Sequence, residues 1–136
     1  MENTMAIGST TDRKQHTTVW LVQGFLSMAF LITGVMKLTM PQEWLAAIMT
    51  WPGKMPVQFV RLIGFAELLG ALGLVLPMLT GIRPILTSYA AFGLMVLMIG
   101  ATGYHLMLFE GAMMLPSMIL GAMAAYVGVR RMPDRR

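Results

Sequence analysis

Four ionisable side chains stand within or beside long apolar stretches of the sequence: Glu67, His105, Lys37 and Arg61. Glu67 lies about ten residues into the apolar stretch 57–79, which puts it roughly 15 Å into a membrane helix. A charge there costs about 2.5–3.5 kcal/mol, so we expect the carboxyl group to face other helices and meet a partner, or to be protonated. Such a group is a candidate for ligand binding or proton relay.

Lys37 and His105 are predicted to point toward the same layer as Glu67. Helical side chains lean toward the N-terminus of their own helix. Glu67 lies on a helix of opposite direction to the helices of Lys37 and His105, so the three tips should converge. Arg61 is six residues from Glu67, about 120° around the helix, and does not share its face.

Arg61 is therefore expected to reach Glu43, Glu110 or a lipid phosphate. The convergence leaves three interpretations open. Glu67 pairs with Lys37 or Arg61 to fix helix packing; or the cluster forms a functional polar pocket; or the two bases extend to the interface and Glu67 is hydrogen-bonded alone. His105, beside Tyr104, is either interfacial or a proton-relay or ligand-binding residue.

Several chemistries are excluded or unsupported by the residue types. The chain has no cysteine, which excludes disulfides, thiolate catalysis, iron–sulfur clusters and Cys-bound zinc. Sixteen methionines raise the question of copper(I), but methionine is also a filler of apolar gaps, and only one histidine lies outside the N-terminal tail. Catalytic triads, phosphate-binding loops and paired metal carboxylates are absent. We expect no metal, and no reaction can be named.

The elements that position these residues are predicted to be transmembrane helices. Charged residues make up 12% of the 136-residue chain, against about 25% in soluble domains, so too few remain to cover a water-facing surface. The predicted spans are residues 18–38, 57–79, 84–106 and 112–130, each long enough to cross about 30 Å of hydrocarbon. Recurring glycines should let these helices approach closely, or leave room for a ligand.

The fold class is therefore all-α: an integral membrane, antiparallel four-helix bundle over residues 18–131. Residues 1–17 read as a polar, disordered tail, and residues 132–136 as a basic tail. Seven basic residues fall on the side of the two termini and the second loop, which predicts that both termini are cytoplasmic. The basic residues form no helical face, so we expect no nucleic-acid partner. They are Arg13, Lys14, Arg83, Arg130, Arg131, Arg135 and Arg136.

The first loop is predicted to contain an amphipathic interfacial helix. Pro41 suits its start and Pro52-Gly53 its end, and Trp44, Ile48 and Trp51 fall on one face. Tryptophan prefers the headgroup region. This helix lies flat in the interface, forms a lid over the mouth of the bundle, or does both.

The chain resembles the DoxX-like family of small bacterial four-helix membrane proteins. The resemblance rests on residues 61–77, RLIGFAELLGALGLVLP, with GVMK at residues 34–37 and residues 100–105 ending in His105. It implies a membrane fold with a polar cluster, matched here by Lys37, Arg61, Glu67 and His105. The family takes its name from a subunit of a thiosulfate:quinone oxidoreductase, and related proteins are linked to membrane thiol redox systems.

The leading functional hypothesis is a bacterial inner-membrane protein whose polar pocket binds a quinone-like or small lipophilic molecule, as a subunit of a redox or detoxification system. Because the chain has no cysteine, electron transfer would need a bound quinone or another subunit. A second hypothesis is a non-catalytic scaffold or assembly factor that docks a partner protein. A third is a small-solute or proton-coupled transporter, which would need a homo-oligomer because four helices enclose little volume.

Overall fold

The computed structural model describes the backbone of residues 2–133 and the side chains of residues 10 and 12–133, and it contains five helices within this part of the chain. A single 3-10 turn, Trp51–Lys54, follows the second helix. The predicted spans agree with the observed helices within one residue at each end, except at the start of the first. The helices are α1 Glu2–Thr39, α2 Gln42–Met49, α3 Val57–Thr80, α4 Ile85–Met107 and α5 Gly111–Arg131.

The four long helices form an antiparallel bundle, as the sequence predicted. Contacts join α1 to α3, α3 to α4, α4 to α5, and α5 back to α1, so each helix touches the two that run in the opposite direction. We call the end that holds the α3–α4 turn and the C-terminus of α5 the basic end. The opposite end, which holds α2 and the α4–α5 turn, is the α2 end.

The helices end where the local sequence requires it. Gly81 follows α3 with a left-handed φ of 71°, a conformation that glycine adopts without a Cβ penalty. Pro84 precedes α4, and the missing N–H of proline loses no hydrogen bond at a helix start. The turn between these residues is short, which holds α3 and α4 side by side.

The interior and the exterior of the bundle are both apolar. All four long helices are apolar enough to cross a membrane, and large side chains such as Phe25, Phe65 and Ile119 lie on the outside. A soluble bundle would have polar residues there, so this exterior is suited to lipid. The fully buried side chains of the central core include Leu26, Phe30, Leu74, Ala91, Ala124 and Val127.

Helices α1 and α3 come closest at two glycines. A Cβ on Gly34 would lie 2.9 Å from the carbonyl oxygen of Gly64, and a Cβ on Gly64 would lie 2.7 Å from Cβ of Lys37. Real Cβ atoms are excluded at such distances, so only glycine permits this spacing. The close contact is what brings Lys37 and Glu67 within reach of each other.

The first loop contains the predicted helix, with one difference at its end. In α2, Trp44 is 65% exposed, Ile48 is also exposed, and Leu45 is buried. Thr50 then takes a left-handed φ of 61°, so Trp51 enters the 3-10 turn and does not continue the face of Trp44 and Ile48. Our prediction of a common face for the three residues is wrong for Trp51.

The long N-terminal helix differs from the expected tail. Where residues 1–17 read as disordered, α1 is helical from Glu2 onward. Thr17 and Thr18 donate hydrogen bonds to the carbonyls of Arg13 and Lys14, which satisfies their hydroxyls within the helix. Of the predicted basic tail at residues 132–136, residues 134–136 lie outside the described part of the chain, as does Met1.

Candidate functional site

A buried ion pair joins α1 and α3 near the α2 end. Lys37 Nζ lies 2.8 Å from Oε1 and 2.7 Å from Oε2 of Glu67, and the two residues are only 4% and 3% exposed. Thr33 Oγ1 donates a 3.0 Å hydrogen bond to Oε2. Glu67 thus faces the bundle and both of its carboxylate oxygens are occupied.

The helical repeat explains how α1 supplies two of these three groups. Thr33 and Lys37 are four residues apart and so share a face of α1, and Gly34, one residue further along from Thr33, lets α3 approach. The threonine was not among the residues singled out from the sequence. Its four-residue spacing from Lys37 was the signal that could have identified it.

Arg61 joins this cluster through the backbone, not through an acid. Its guanidinium donates hydrogen bonds to the carbonyl oxygens of Lys37 and, at 2.9 Å, Met40. The last carbonyls of a helix lack partners within it and carry partial negative charge, so the end of α1 attracts this cation. The structure does not pair Arg61 with Glu43, Glu110 or Glu67, which corrects the acidic partners expected from the sequence.

Trp51 lies against the same cluster from the first loop. Lys37 Nζ is 5.7 Å from the centroid of the Trp51 ring, close enough for a cation–π contact. Gln42 holds the loop in place, since its Nε2 donates hydrogen bonds of 2.6 and 2.7 Å to the carbonyls of Pro52 and Met55. Trp51 therefore lies where a cover over the pair would be, while Trp44 faces outward.

His105 belongs to a second cluster at the α2 end. Its Nδ1 lies 2.9 Å from Oε2 of Glu110, and Lys54 Nζ lies 2.6 Å from Oε1 of the same carboxylate. The hydrogen bond from Lys54, followed by that from His105, holds the pKa of Glu110 below its usual value of 4.5. This carboxylate joins the first loop to the α4–α5 turn.

The predicted four-residue cluster is therefore divided in two. Lys37, Glu67 and Arg61 lie together, whereas His105 pairs with Glu110, and among residues 2–133 no hydrogen bond joins His105 to Glu67. The sequence did not distinguish these arrangements, because both need only convergent tips at one end of the bundle.

A groove opens between α4 and α5, one helical turn from His105. It has a volume of about 420 Å³. Thr102 and Ser117 line it with hydroxyl oxygens 2.9 Å apart. Each hydroxyl also donates to a carbonyl of its own helix, at Met98 and Met114, so a hydroxyl must turn away from that carbonyl to donate to a ligand. The remaining lining is apolar or glycine: Met98, Ile99, Gly103, Met118, Gly121 and Ala122. The groove is thus nearly apolar, with its polar atoms confined to the two hydroxyls.

A third polar layer lies toward the basic end and was missed in the sequence. Gln23 is fully buried and donates to the carbonyl of Leu74. Its Oε1 accepts a 2.9 Å hydrogen bond from Nε of Arg131. Thr87 and Ser88 are buried in the first turn of α4. Their hydroxyls have no hydrogen-bond partner in the described chain. A glutamine inside a span was the available signal.

None of these clusters contains three metal-binding side chains. Among the described side chains, no group of three His, Asp or Glu residues is placed to hold a metal ion. The polar side chains of these clusters can bind or transfer protons and donate hydrogen bonds. The α4–α5 groove adds space for an apolar ligand.

Comparison with known proteins gives one match. A sequence model described as the DoxX-like family matches residues 21–127. The match covers the first loop, all of α3 and α4, and most of the apolar parts of α1 and α5. No curated protein and no solved structure is detectably similar to the chain.

Proposed function

Because this chain belongs to the DoxX-like family, as a multi-pass membrane protein, we propose that it binds a quinone-like or small lipophilic molecule in the groove between α4 and α5. The proposal includes a place in the bacterial inner membrane with cytoplasmic termini, and a role as a subunit of a redox or detoxification system. The observation that carries it is an apolar groove lined by two adjacent hydroxyls, one helical turn from a buried histidine.

The size and lining of the groove support this ligand class. Its volume of about 420 Å³ is within the range of roughly 300–1,000 Å³ typical of small-molecule sites. Such sites are mostly apolar with few polar groups that fix orientation. The Thr102–Ser117 pair, 2.9 Å apart, supplies a donor when one hydroxyl turns away from the helix carbonyl that it bonds. Its acceptor would be a carbonyl oxygen, which is what a quinone presents.

His105 is proposed to handle the proton in this site. It lies three residues after Thr102 on α4 and pairs with Glu110 through Nδ1. An imidazole held by a carboxylate can pass a proton between water at the α2 end and a ligand. Glu67, with both oxygens already bonded to Lys37, is assigned to holding α1 and α3, and Lys37 and Arg61 to balancing charge at this end.

The test is a pair of glycine substitutions on the same helix. An added Cβ at either Gly103 or Gly100 meets no atom within 4 Å, but only Gly103 lines the groove. Gly103→Leu should reduce the affinity for a short-chain quinone at least tenfold in purified protein, measured by quenching of tryptophan fluorescence. Gly100→Leu should bind like wild type.

A second comparison separates quinone recognition from simple filling by an apolar molecule. Thr102→Val with Ser117→Ala removes two hydrogen-bond donors, each worth about 0.5–1.5 kcal/mol. Quinone affinity should fall several-fold, and affinity for a naphthalene of the same size without carbonyls should not. Equal quinone binding by wild type and Gly103→Leu would exclude this groove as the site.

The alternative of a non-catalytic scaffold is favoured by the saturated Lys37–Glu67 pair, which leaves the carboxylate without a free oxygen for a ligand. The exposed Trp44 and Ile48 on α2 would then contact a partner protein. In that case a defined partner protein co-purifies with the groove variants as it does with wild type, whereas Trp44→Ala abolishes this co-purification.

A further inference from the structure

A second groove lies at the basic end of the bundle, between the α3–α4 turn and the end of α5. It has a volume of about 580 Å³, and three arginines line it: Arg83 from the turn, and Arg130 and Arg131 from α5. Met78 and Ile85 add apolar walls. The groove is therefore basic and amphipathic, unlike the nearly apolar groove at the α4–α5 contact.

The arginines of this basic groove have no acidic partner among residues 12–133. The three ion pairs found there join Lys37 to Glu67, and Lys54 and His105 to Glu110. Arg130 lies over the Tyr126 ring with its guanidinium carbon 5.6 Å from the centroid, a contact that leaves its N–H donors free for other acceptors. Three positive charges thus converge without a described counter-ion.

Arg131 has a buried nitrogen without a hydrogen-bond partner in the described part of the chain. Its Nε donates to Gln23, and its guanidinium lies 4.9 Å from the Trp20 ring centroid. Its Nη2 is buried and has no hydrogen-bond partner in the described chain. Leaving a buried charged donor unpaired is costly, so an acceptor other than the described side chains would stabilise this nitrogen.

From these observations we infer that the basic groove binds the phosphate of an anionic phospholipid. The groove lies where α3 and α5 end and α4 begins, so it is at the level at which apolar spans give way to polar headgroups. Arginine pairs well with phosphate oxygens. Basic pockets between membrane helices are suited to anionic headgroups, and Met78 and Ile85 suit the glycerol and upper acyl carbons.

The experiment compares two double variants that each remove two positive charges from the basic end. Arg83→Gln with Arg130→Gln changes the groove, while Arg13→Gln with Lys14→Gln changes exposed residues of α1 that do not line it. Arg131 is left intact because it also contacts Gln23. Phosphatidylglycerol binding to the purified full chain in detergent is measured by native mass spectrometry.

At about 1 kcal/mol per arginine near a membrane surface, the groove variant should bind phosphatidylglycerol roughly 25-fold more weakly, or about fivefold per residue. The α1 variant should bind within about twofold of wild type. Phosphatidylcholine with the same acyl chains should bind weakly to all three proteins. Equal losses in both double variants would mean general charge attraction and would overturn the inference.

Inorganic phosphate separates the two sources of the anion. It should compete with phosphatidylglycerol only at concentrations far above those of the lipid, because it lacks the apolar part. Equal competition would replace the lipid by a free anion and overturn the inference. If the groove variant does not fold, the wild-type protein can be crosslinked to a phosphatidylglycerol that carries a photoreactive headgroup. Crosslinks should fall on residues 78–85 and 130–133, and crosslinks elsewhere would contradict the assignment.

Discussion

Among single side chains, the Lys37–Glu67 pair offers the sharpest test of what holds the bundle together. Removing either partner leaves a buried charge without its counter-ion, which costs about 3–5 kcal/mol in buried pairs. Lys37→Met and Glu67→Leu should each lower the free energy of unfolding by this order, measured by denaturation in detergent. Replacing both should cost less than either single change, because no charge then remains buried.

A double variant as unstable as the sum of the two single variants would contradict this coupling. Thr33→Val serves as the control, since it removes one hydrogen bond to Glu67 but no charge. It should cost about 0.5–3 kcal/mol, less than loss of either charged partner.

The lowered pKa of Glu110 predicts that the protein loses stability in acid. Its pKa is held below the usual 4.5, first by the hydrogen bond from Lys54 and then by that from His105. A lowered folded-state pKa adds stability that is fully present above the unfolded value and is lost as the pH falls through the folded value. The melting temperature should therefore drop below about pH 4.5 more steeply in wild type than in Glu110→Gln, and parallel curves would show that Glu110 contributes nothing.

Among helices, the α1–α3 contact depends on the absence of side chains at two positions. A Cβ on Gly64 would lie 2.7 Å from Cβ of Lys37 and 3.0 Å from the carbonyl oxygen of Gly34. Gly64→Ala must push the helices apart, at a cost of about 1–3 kcal/mol typical of overpacking. The readout is the free energy of unfolding in detergent.

Gly100→Ala is the matched control for that change, because an added Cβ there meets nothing within 4 Å. It should leave stability unchanged or raise it slightly through better helix propensity. Equal effects of the two substitutions would mean that the close α1–α3 contact does not limit stability.

For the whole molecule, the charge distribution predicts the direction of insertion. The absence of cysteine makes single-cysteine variants directly usable. Ile82 in the α3–α4 turn and Phe109 in the α4–α5 turn are 67% and 95% exposed at opposite ends of the bundle. In intact bacterial cells a membrane-impermeant maleimide should label Phe109→Cys but not Ile82→Cys, and inverted vesicles should give the reverse; labelling of Ile82→Cys in intact cells would reverse the proposed topology.

The sequence was sufficient for the number and order of the spans, and for their ends except the start of the first helix. Each span reads as a largely apolar stretch of membrane length, interrupted in the second span by Arg61 and Glu67. Residues such as Gly81 and Pro84 mark the turns, so the signal is local and needs no knowledge of neighbouring helices. The need of Glu67 for an inward partner also follows from sequence, because its cost in hydrocarbon depends only on its depth.

The choice of partners required the packed bundle. Three basic side chains end near the depth of Glu67: Lys37, His105 and Arg61. Their positions in the sequence do not show which of them pairs with Glu67. The Gly34–Gly64 contact brings α1 against α3 and so selects Lys37, while the free carbonyls at the end of α1 attract Arg61. Glu110 lies close enough to engage His105. The hydropathy of a span and the depth of a charge depend only on positions along one helix, so the sequence determines them. The pairing of side chains depends on distances between helices, and these distances are set only when all four helices pack together.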